Sequence, residues 1–194
     1  MKSPLARFIV TTLAWLPVTF AVWYFGAPLL LWPVELLVAG VTHAGLADLV
    51  QSIDAGGSTM TFVTTLRPGQ SASGGRVSVD VNPLLYAYGL PMFAALVIAA
   101  REPRWLRSLC IGYLALVPFI AWGVLADFLK NIAITSGPLV ASQTGFTSFE
   151  RELIAFAFQF GSLIMPTVAP AVLWVLLHRR FLERLREPDP VTGG

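Results

Sequence analysis

The sequence predicts a mainly α-helical integral membrane protein with four transmembrane helices, a small extracytoplasmic β-hairpin and an interfacial helix, the last two between spans one and two. Composition is the first observation behind this fold class: 56% of the 194 residues are hydrophobic and only 12% are charged, about half the charged fraction of an average soluble domain. The mean hydropathy of +0.71 agrees. Several uncharged stretches approach the length of a membrane span. We therefore treat residues 1–194 as a single integral membrane domain.

Four apolar stretches are predicted to cross the membrane. A span needs about 20 apolar residues, because about 30 Å of hydrocarbon is crossed at about 1.5 Å per residue. The predicted spans are residues 8–31, 84–100, 108–126 and 153–177. The second is short, so it must stand nearly upright or gain a turn from Asn82 and Pro83. In the fourth, Pro166 and Pro170 predict a kink.

The distribution of Lys and Arg predicts that both termini are cytoplasmic, because short cytoplasmic loops carry an excess of these residues. A competing topology makes residues 34–50 a fifth crossing. It would move three arginines of the loop after the second span to the outer side, so the charge rule disfavours it. With the N-terminus inside, the predicted cytoplasmic set is Lys2, Arg7, Arg101, Arg104, Arg107, Arg179, Arg180, Arg184 and Arg186.

The segment between the first two spans, residues 32–83, contains two different patterns. Residues 34–50 predict a helix that is opened by Pro33 and lies along the outer leaflet. Residues 58–66 and 77–82 alternate between apolar and polar side chains, which is typical of β-strands. Because a Gly/Ser-rich stretch joins them, we expect a β-hairpin over residues 58–82.

The apolar face of this hairpin needs a covering surface, since an isolated two-stranded hairpin is marginally stable in water. The neighbouring helix, the membrane interface and another protein are the three alternatives, and local burial is the expected default. If a partner protein covers the hairpin, the predicted binding residues are Met60, Phe62, Val77, Val79, Asp80 and Asn82.

Little in the sequence predicts catalysis or a cofactor. Cys110, His43 and His178 are too few for a metal centre. Cys110 is predicted to be a buried small hydrophobic residue rather than a nucleophile. The net charge of +2 disfavours nucleic-acid binding. We therefore expect no enzymatic activity, no catalytic residue, no metal and no cofactor.

Charged residues border the last two spans. Asp127 and Lys130 are three positions apart and are predicted to pair on one helix face. A helix cap at Thr147 or Ser148 accounts for the acidic residues that follow it. Arg151 faces outward against the charge rule, so it is the candidate for binding an anion, either a carboxylate or a phosphate.

Two parts of the sequence resemble a known family. Residues 79–91 read Val-Asp-Val-Asn-Pro-Leu-Leu-Tyr-Ala-Tyr-Gly-Leu-Pro, and the first span contains Leu13-Ala-Trp15-Leu-Pro17 and Trp23-Tyr24. With the length, the hairpin and four spans, the chain resembles the exosortase H-associated membrane protein family. The resemblance implies an inner-membrane companion of an exosortase, an integral membrane enzyme that processes exported proteins with a C-terminal sorting signal. It implies no catalytic residues.

We therefore expect a non-enzymatic accessory protein of an exosortase-type envelope protein sorting system. Its expected location is the bacterial cytoplasmic (inner) membrane, and its expected partners are membrane lipid and an exosortase-like membrane protein. The alternative is a subunit of a membrane transporter or secretion assembly, in which Pro166 and Pro170 form a gating kink. An enzymatic interpretation would centre on Arg151 with Glu150 and Glu152.

Overall fold

The structure is a computed structural model that describes residues 4–56, 58–69 and 75–186. Lys2, residues 70–74 of the predicted hairpin loop and the tail beyond Arg186 lie outside the described residues, as do the side chains of Arg180, Arg184 and Arg186. Two π-helical segments, Asn131–Thr135 and Phe160–Ile164, extend two of the α-helices. The other elements are α1 (Pro4–Phe25), α2 (Ala27–Gly45), β1 (Val50–Gly56), β2 (Thr59–Thr64), β3 (Ser78–Val81), α3 (Leu84–Ala87), α4 (Gly89–Ala100), α5 (Trp105–Lys130), α6 (Pro138–Gln143), α7 (Ser148–Gln159), α8 (Met165–Leu177) and α9 (Arg179–Arg186).

The structure confirms the predicted fold class. Within the described ranges, four helical stretches are long and apolar enough to cross a membrane: Pro4–Phe25, Ala27–Gly45, Trp105–Thr135 and Ser148–Leu177. The last two contain the predicted third and fourth spans. The predicted second span corresponds to Leu84–Ala100, which is apolar but shorter than the others.

The boundaries of the first span differ from the prediction. The helix predicted over residues 8–31 stops at Phe25, and α2 then continues to Gly45. It therefore also contains most of the helix predicted over 34–50, and Pro33 lies inside α2 rather than at its start. Proline is favoured in a first turn, and Pro28 occupies that position in α2.

The helices form a bundle with two different ends. At one end, which we call the base, the ring of Phe8 in α1 stacks on Trp174 of α8 at 5.4 Å and lies 5.3 Å from the ring of Phe181 in α9. At the other end, which we call the sheet end, Phe62 of β2 stacks on Phe128 near the end of α5 at 4.3 Å. The first turns of α1 and the last described helix therefore lie together, away from the sheet.

Together, α1 and α2 lead from the base to the sheet end once. Helix α1 packs mainly against α4, whereas α2 runs alongside α5. The Tyr113 hydroxyl of α5 donates a hydrogen bond of 2.7 Å to the Leu30 carbonyl oxygen of α2, and beyond α2 the Thr65 hydroxyl donates to the Asp48 carbonyl oxygen beside the sheet. Two separate crossings by α1 and α2 would return the chain to the base. These contacts therefore contradict the five-crossing topology.

The sheet is three-stranded and antiparallel, in the order β1-β2-β3. The predicted hairpin is present as β2 and β3, with Phe62 opposite Val79. Strand β1 was not predicted; it pairs with β2 and begins at Val50, the last residue of the predicted helix. Only Val50 of β1 is buried, so its side chains show no alternation that would indicate a strand.

Glycine allows the helices to approach one another closely. Small residues at helix interfaces are the usual means of close packing in membranes. A Cβ atom at each of four glycines would meet a side chain or backbone of a neighbouring helix: Pro166 at Gly89, Phe93 at Gly112, Tyr86 at Gly123 and Trp122 at Gly161.

Candidate functional site

The apolar face of the sheet is covered by the protein's own helices. Met60 is 1% exposed, Phe62 0% and Val79 7%, and Phe128 of α5 stacks directly on Phe62. Local burial, the expected default, is therefore what the structure shows. The covering surface includes α5 and not only the helix predicted over residues 34–50. These three side chains, predicted to bind a partner, are not accessible to one.

The other predicted partner residues have different surroundings. Val77 is half-buried against the core, and the Asn82 side chain accepts a hydrogen bond of 3.0 Å from the backbone N–H of Leu84 at the start of α3. Asp80 is exposed and accepts a hydrogen bond of 2.7 Å from the Thr61 hydroxyl. The Asn82 side chain thus stabilises the turn between β3 and α3, while Asp80 remains accessible.

The solvent-facing side of the sheet is polar and acidic. Asp54, Thr61 and Asp80 lie opposite one another on β1, β2 and β3, and both carboxylates are exposed. We call this side the outer sheet face and define it by these three residues. It is the candidate surface for a protein partner, because the opposite side is buried.

A polar cluster lies where α5 approaches the sheet. The Lys130 ammonium is 2.9 Å from the Asp127 carboxylate, which confirms the predicted pair, and Asn131 donates to the same carboxylate at 3.0 Å. The Tyr86 hydroxyl interacts with Asp127, and the ammonium lies 4.0 Å from the ring centroid of Phe158. The cluster joins α3, α5 and α7, which accounts for these charges structurally.

Helix α7 begins with a capping box. Thr147 is the N-cap: its hydroxyl accepts a hydrogen bond of 3.3 Å from the Glu150 backbone N–H. The Glu150 carboxylate accepts one of 2.7 Å from the Thr147 backbone N–H. The predicted cap is thus Thr147 rather than Ser148, and Glu150 serves the helix end.

Replacing Thr147 by alanine is expected to lower the free energy of unfolding by about 1 kcal/mol, because an N-cap hydroxyl satisfies a backbone N–H of the first helical turn. Denaturant unfolding of the purified protein in detergent measures the effect. Ser148→Ala is the matched control, since this hydroxyl is exposed and does not cap the helix. Equal losses in the two variants would contradict the assignment of the cap.

Arg151 lines an open groove of about 440 Å³ between α6, α7 and the π-helical segment Asn131–Thr135 that follows α5. One Nη atom donates a hydrogen bond of 3.2 Å to the Ala141 carbonyl oxygen, and the buried Nε atom has no acceptor. Glu152 lines the same groove and is exposed. The predicted anion-binding residue therefore lies in a groove rather than on a flat surface.

The two prolines of the predicted kink are packed between helices. Pro166 follows the π-helical segment Phe160–Ile164, and Pro170 lies inside α8. Both would contact a Cβ atom at Gly89 of α4. The prolines therefore contribute to the interface between α4 and α8.

Cys110 and His178 lie in different surroundings. Cys110 was predicted to be buried but is exposed, in an apolar groove that Trp15 and Tyr113 also line. The His178 ring is buried; its Nδ1 atom is 3.1 Å from the Trp174 carbonyl oxygen. Cys110 is exposed because it lies on the apolar outer surface of α5. In a membrane, an apolar environment would cover this surface. Among the residues described, no three His, Cys, Asp or Glu side chains gather as a metal site requires.

Several residues of the sheet end could not be recognised in the sequence. Phe128 and Tyr86 resemble other apolar residues of the spans, and only the fold shows that they meet Phe62 and Asp127. The Gln143 side chain donates to the Arg67 carbonyl oxygen at 2.8 Å and accepts from its N–H at 3.0 Å. Tyr86 lies in the run of residues 79–91 that carries the family resemblance. This is the one signal in the sequence that points to a residue of the sheet end.

The fold and the sheet end define a small helical membrane protein that holds a three-stranded sheet against one end of its bundle. A family model described as exosortase H-associated membrane protein matches residues 2–181. The chain therefore belongs to this family, as its sequence predicted. No curated protein and no solved structure matches the chain.

Proposed function

We propose that the chain is a non-enzymatic accessory protein of an exosortase-type envelope protein sorting system in the bacterial inner membrane. Membership of the exosortase H-associated family is the observation that carries this proposal. The polar groups of the sheet end are paired with one another or with backbone, which supports a binding role over a catalytic one. The Asp127 carboxylate is held by Lys130 and Asn131, and the Glu150 carboxylate by the helix cap.

The charge distribution supports a cytoplasmic base and an outer sheet. Glu102 lies 4.0 Å from the ring of His178, so the loop after α4 is at the base. This loop contains Arg101 and Arg104. The outer sheet face carries carboxylates instead. By the charge rule, this arrangement supports the proposal that both termini are cytoplasmic.

The outer sheet face is the proposed contact with the exosortase-like partner. In the proposed orientation this face is on the outer side of the membrane, where an enzyme that processes exported proteins would act. Asp54 and Asp80 are exposed there, and acidic side chains at an interface steer and orient a complementary basic surface. The buried face beneath them keeps the sheet in place on α5.

Site-specific photocrosslinking in native membranes tests both the partner and the surface. A photocrosslinking amino acid in place of Asp80 is expected to capture an exosortase-like enzyme, identified by mass spectrometry of the tagged complex. Arg104 is the matched control position, because it is exposed and lies in the loop at the base. We expect no capture of the enzyme from that position.

Three results would contradict the proposal. Capture from Arg104 alone would place the partner at the base and reject the outer sheet face. Capture of transport or secretion components would favour the alternative assembly. Purification of a solitary protein from crosslinked native membranes would reject the accessory role.

A further inference from the structure

The groove beside Arg151 combines charges of both signs with apolar walls. Arg151 and Glu152 are its charged residues. The remaining walls are apolar or small: Ala133, Ile134, Gly137, Pro138, Ala141 and Ala155. Such a lining suits a ligand that has both a polar and an apolar part.

The guanidinium group of Arg151 has donors to spare. Its one hydrogen bond is to the Ala141 carbonyl oxygen, and its Nε atom is buried without an acceptor. Neither ion pair among the described residues involves Arg151. The remaining donors on the Nη atoms are therefore the ones that a ligand in the groove can reach, and phosphate oxygens accept bidentate, charge-assisted hydrogen bonds from a guanidinium fork.

The position of the groove places it at the edge of the apolar helices. Ala133 lies in the last turns of the Trp105–Thr135 stretch, and Ala155 lies in the first turns of the Ser148–Leu177 stretch. The first of these stretches has 31 residues and is about 46 Å long, which exceeds the about 30 Å of hydrocarbon, so we expect its last turns to lie at the level of the lipid phosphates. Glu152 adds a carboxylate to the lining of the same groove, which disfavours a purely anionic ligand and complements a cation.

We propose that this groove binds the headgroup of a zwitterionic phospholipid, with its phosphate on Arg151 and its primary ammonium on Glu152. Phosphatidylethanolamine has this pair of groups, and its primary ammonium donates hydrogen bonds. The quaternary ammonium of phosphatidylcholine cannot donate one, and phosphatidylglycerol has no ammonium. The site does not depend on the exosortase association.

Native mass spectrometry of the full chain in detergent, titrated with each of the three phospholipids, tests the proposal. Arg151→Gln should weaken phosphatidylethanolamine binding about tenfold, because it removes charge-assisted hydrogen bonds. Glu152→Gln should weaken it about threefold and remove the preference over phosphatidylglycerol, since this carboxylate is exposed. Arg76→Gln is the matched control: an exposed arginine that does not line the groove.

Equal binding of phosphatidylethanolamine by the wild type and the Arg151 variant would overturn the proposal. Equal binding of all three lipids by the wild type would overturn the ammonium contact. Competition by inorganic phosphate as strong as that by the lipid would identify a free phosphate, not a headgroup, as the ligand. Unchanged thermal unfolding of the variants shows that a loss of binding is not a loss of fold.

Discussion

Replacing Phe62 by alanine is expected to lower the free energy of unfolding by about 3–5 kcal/mol, the usual cost of removing a large buried aromatic side chain. Phe62 is fully buried, and its ring stacks on Phe128 at 4.3 Å. The sheet should therefore loosen from the helices before they unfold. Hydrogen exchange at the backbone amides of β1, β2 and β3 measures this directly, as faster exchange in the sheet than in α5.

Val63→Ala is the matched control for the Phe62 variant. Val63 is the next residue of β2 and points to the other side of the sheet, where it is half-buried. Its truncation should cost about 1 kcal/mol or less. If the backbone amides of the sheet exchanged equally slowly in both variants, the attachment of the sheet through Phe62 and Phe128 would be refuted.

Gly89→Ala is the second change with a large expected effect. A Cβ atom at this position would collide with the Pro166 carbonyl oxygen and the ring of Pro170. Neither group can rotate away as a flexible side chain can, so α4 and α8 must separate. Overpacking of this kind costs about 1–3 kcal/mol, measurable as a lower midpoint of denaturant unfolding in detergent.

The control for the Gly89 variant is Gly40→Ala. Gly40 is also inside a helix, α2, but nothing lies within 4 Å of an added Cβ atom. Alanine should be neutral there or stabilise the helix by up to about 1 kcal/mol. A destabilisation as large as that of Gly89→Ala would show that the loss comes from the glycine backbone and not from the helix contact.

Local patterns predicted those parts of the structure that depend on neighbours in the sequence. The alternation of residues 58–66 and 77–82 predicted β2 and β3, because one side of each strand is buried. The hydroxyl residues before an acidic first turn predicted a cap at Thr147 or Ser148, and Thr147 is the one that caps α7. The spacing of Asp127 and Lys130 predicted their ion pair. In each case the interacting groups are close along the chain or repeat with the period of the element.

Features that depend on distant contacts were not predictable. Strand β1 has exposed side chains, so backbone pairing with β2 forms it without an apolar pattern. The break at Gly26 lies within a uniformly apolar run, where composition gives no boundary. The stacking of Phe62 on Phe128 joins segments on either side of α4. The Arg151 groove requires three elements to meet, so only the residue type was indicated by the sequence.

The division of the first apolar region into α1 and α2 has a consequence for how the protein tolerates bilayers of different thickness. The two helices together are about 60 Å long, about twice the thickness of the hydrocarbon core, yet they lead from the base to the sheet end only once. Two helices of this combined length exceed one upright crossing, and a change in tilt costs only fractions of a kcal/mol per Å of mismatch. We expect the pair to accommodate bilayers of different thickness through its tilt, while the hydrogen bond from Tyr113 to the Leu30 carbonyl oxygen keeps α2 beside α5.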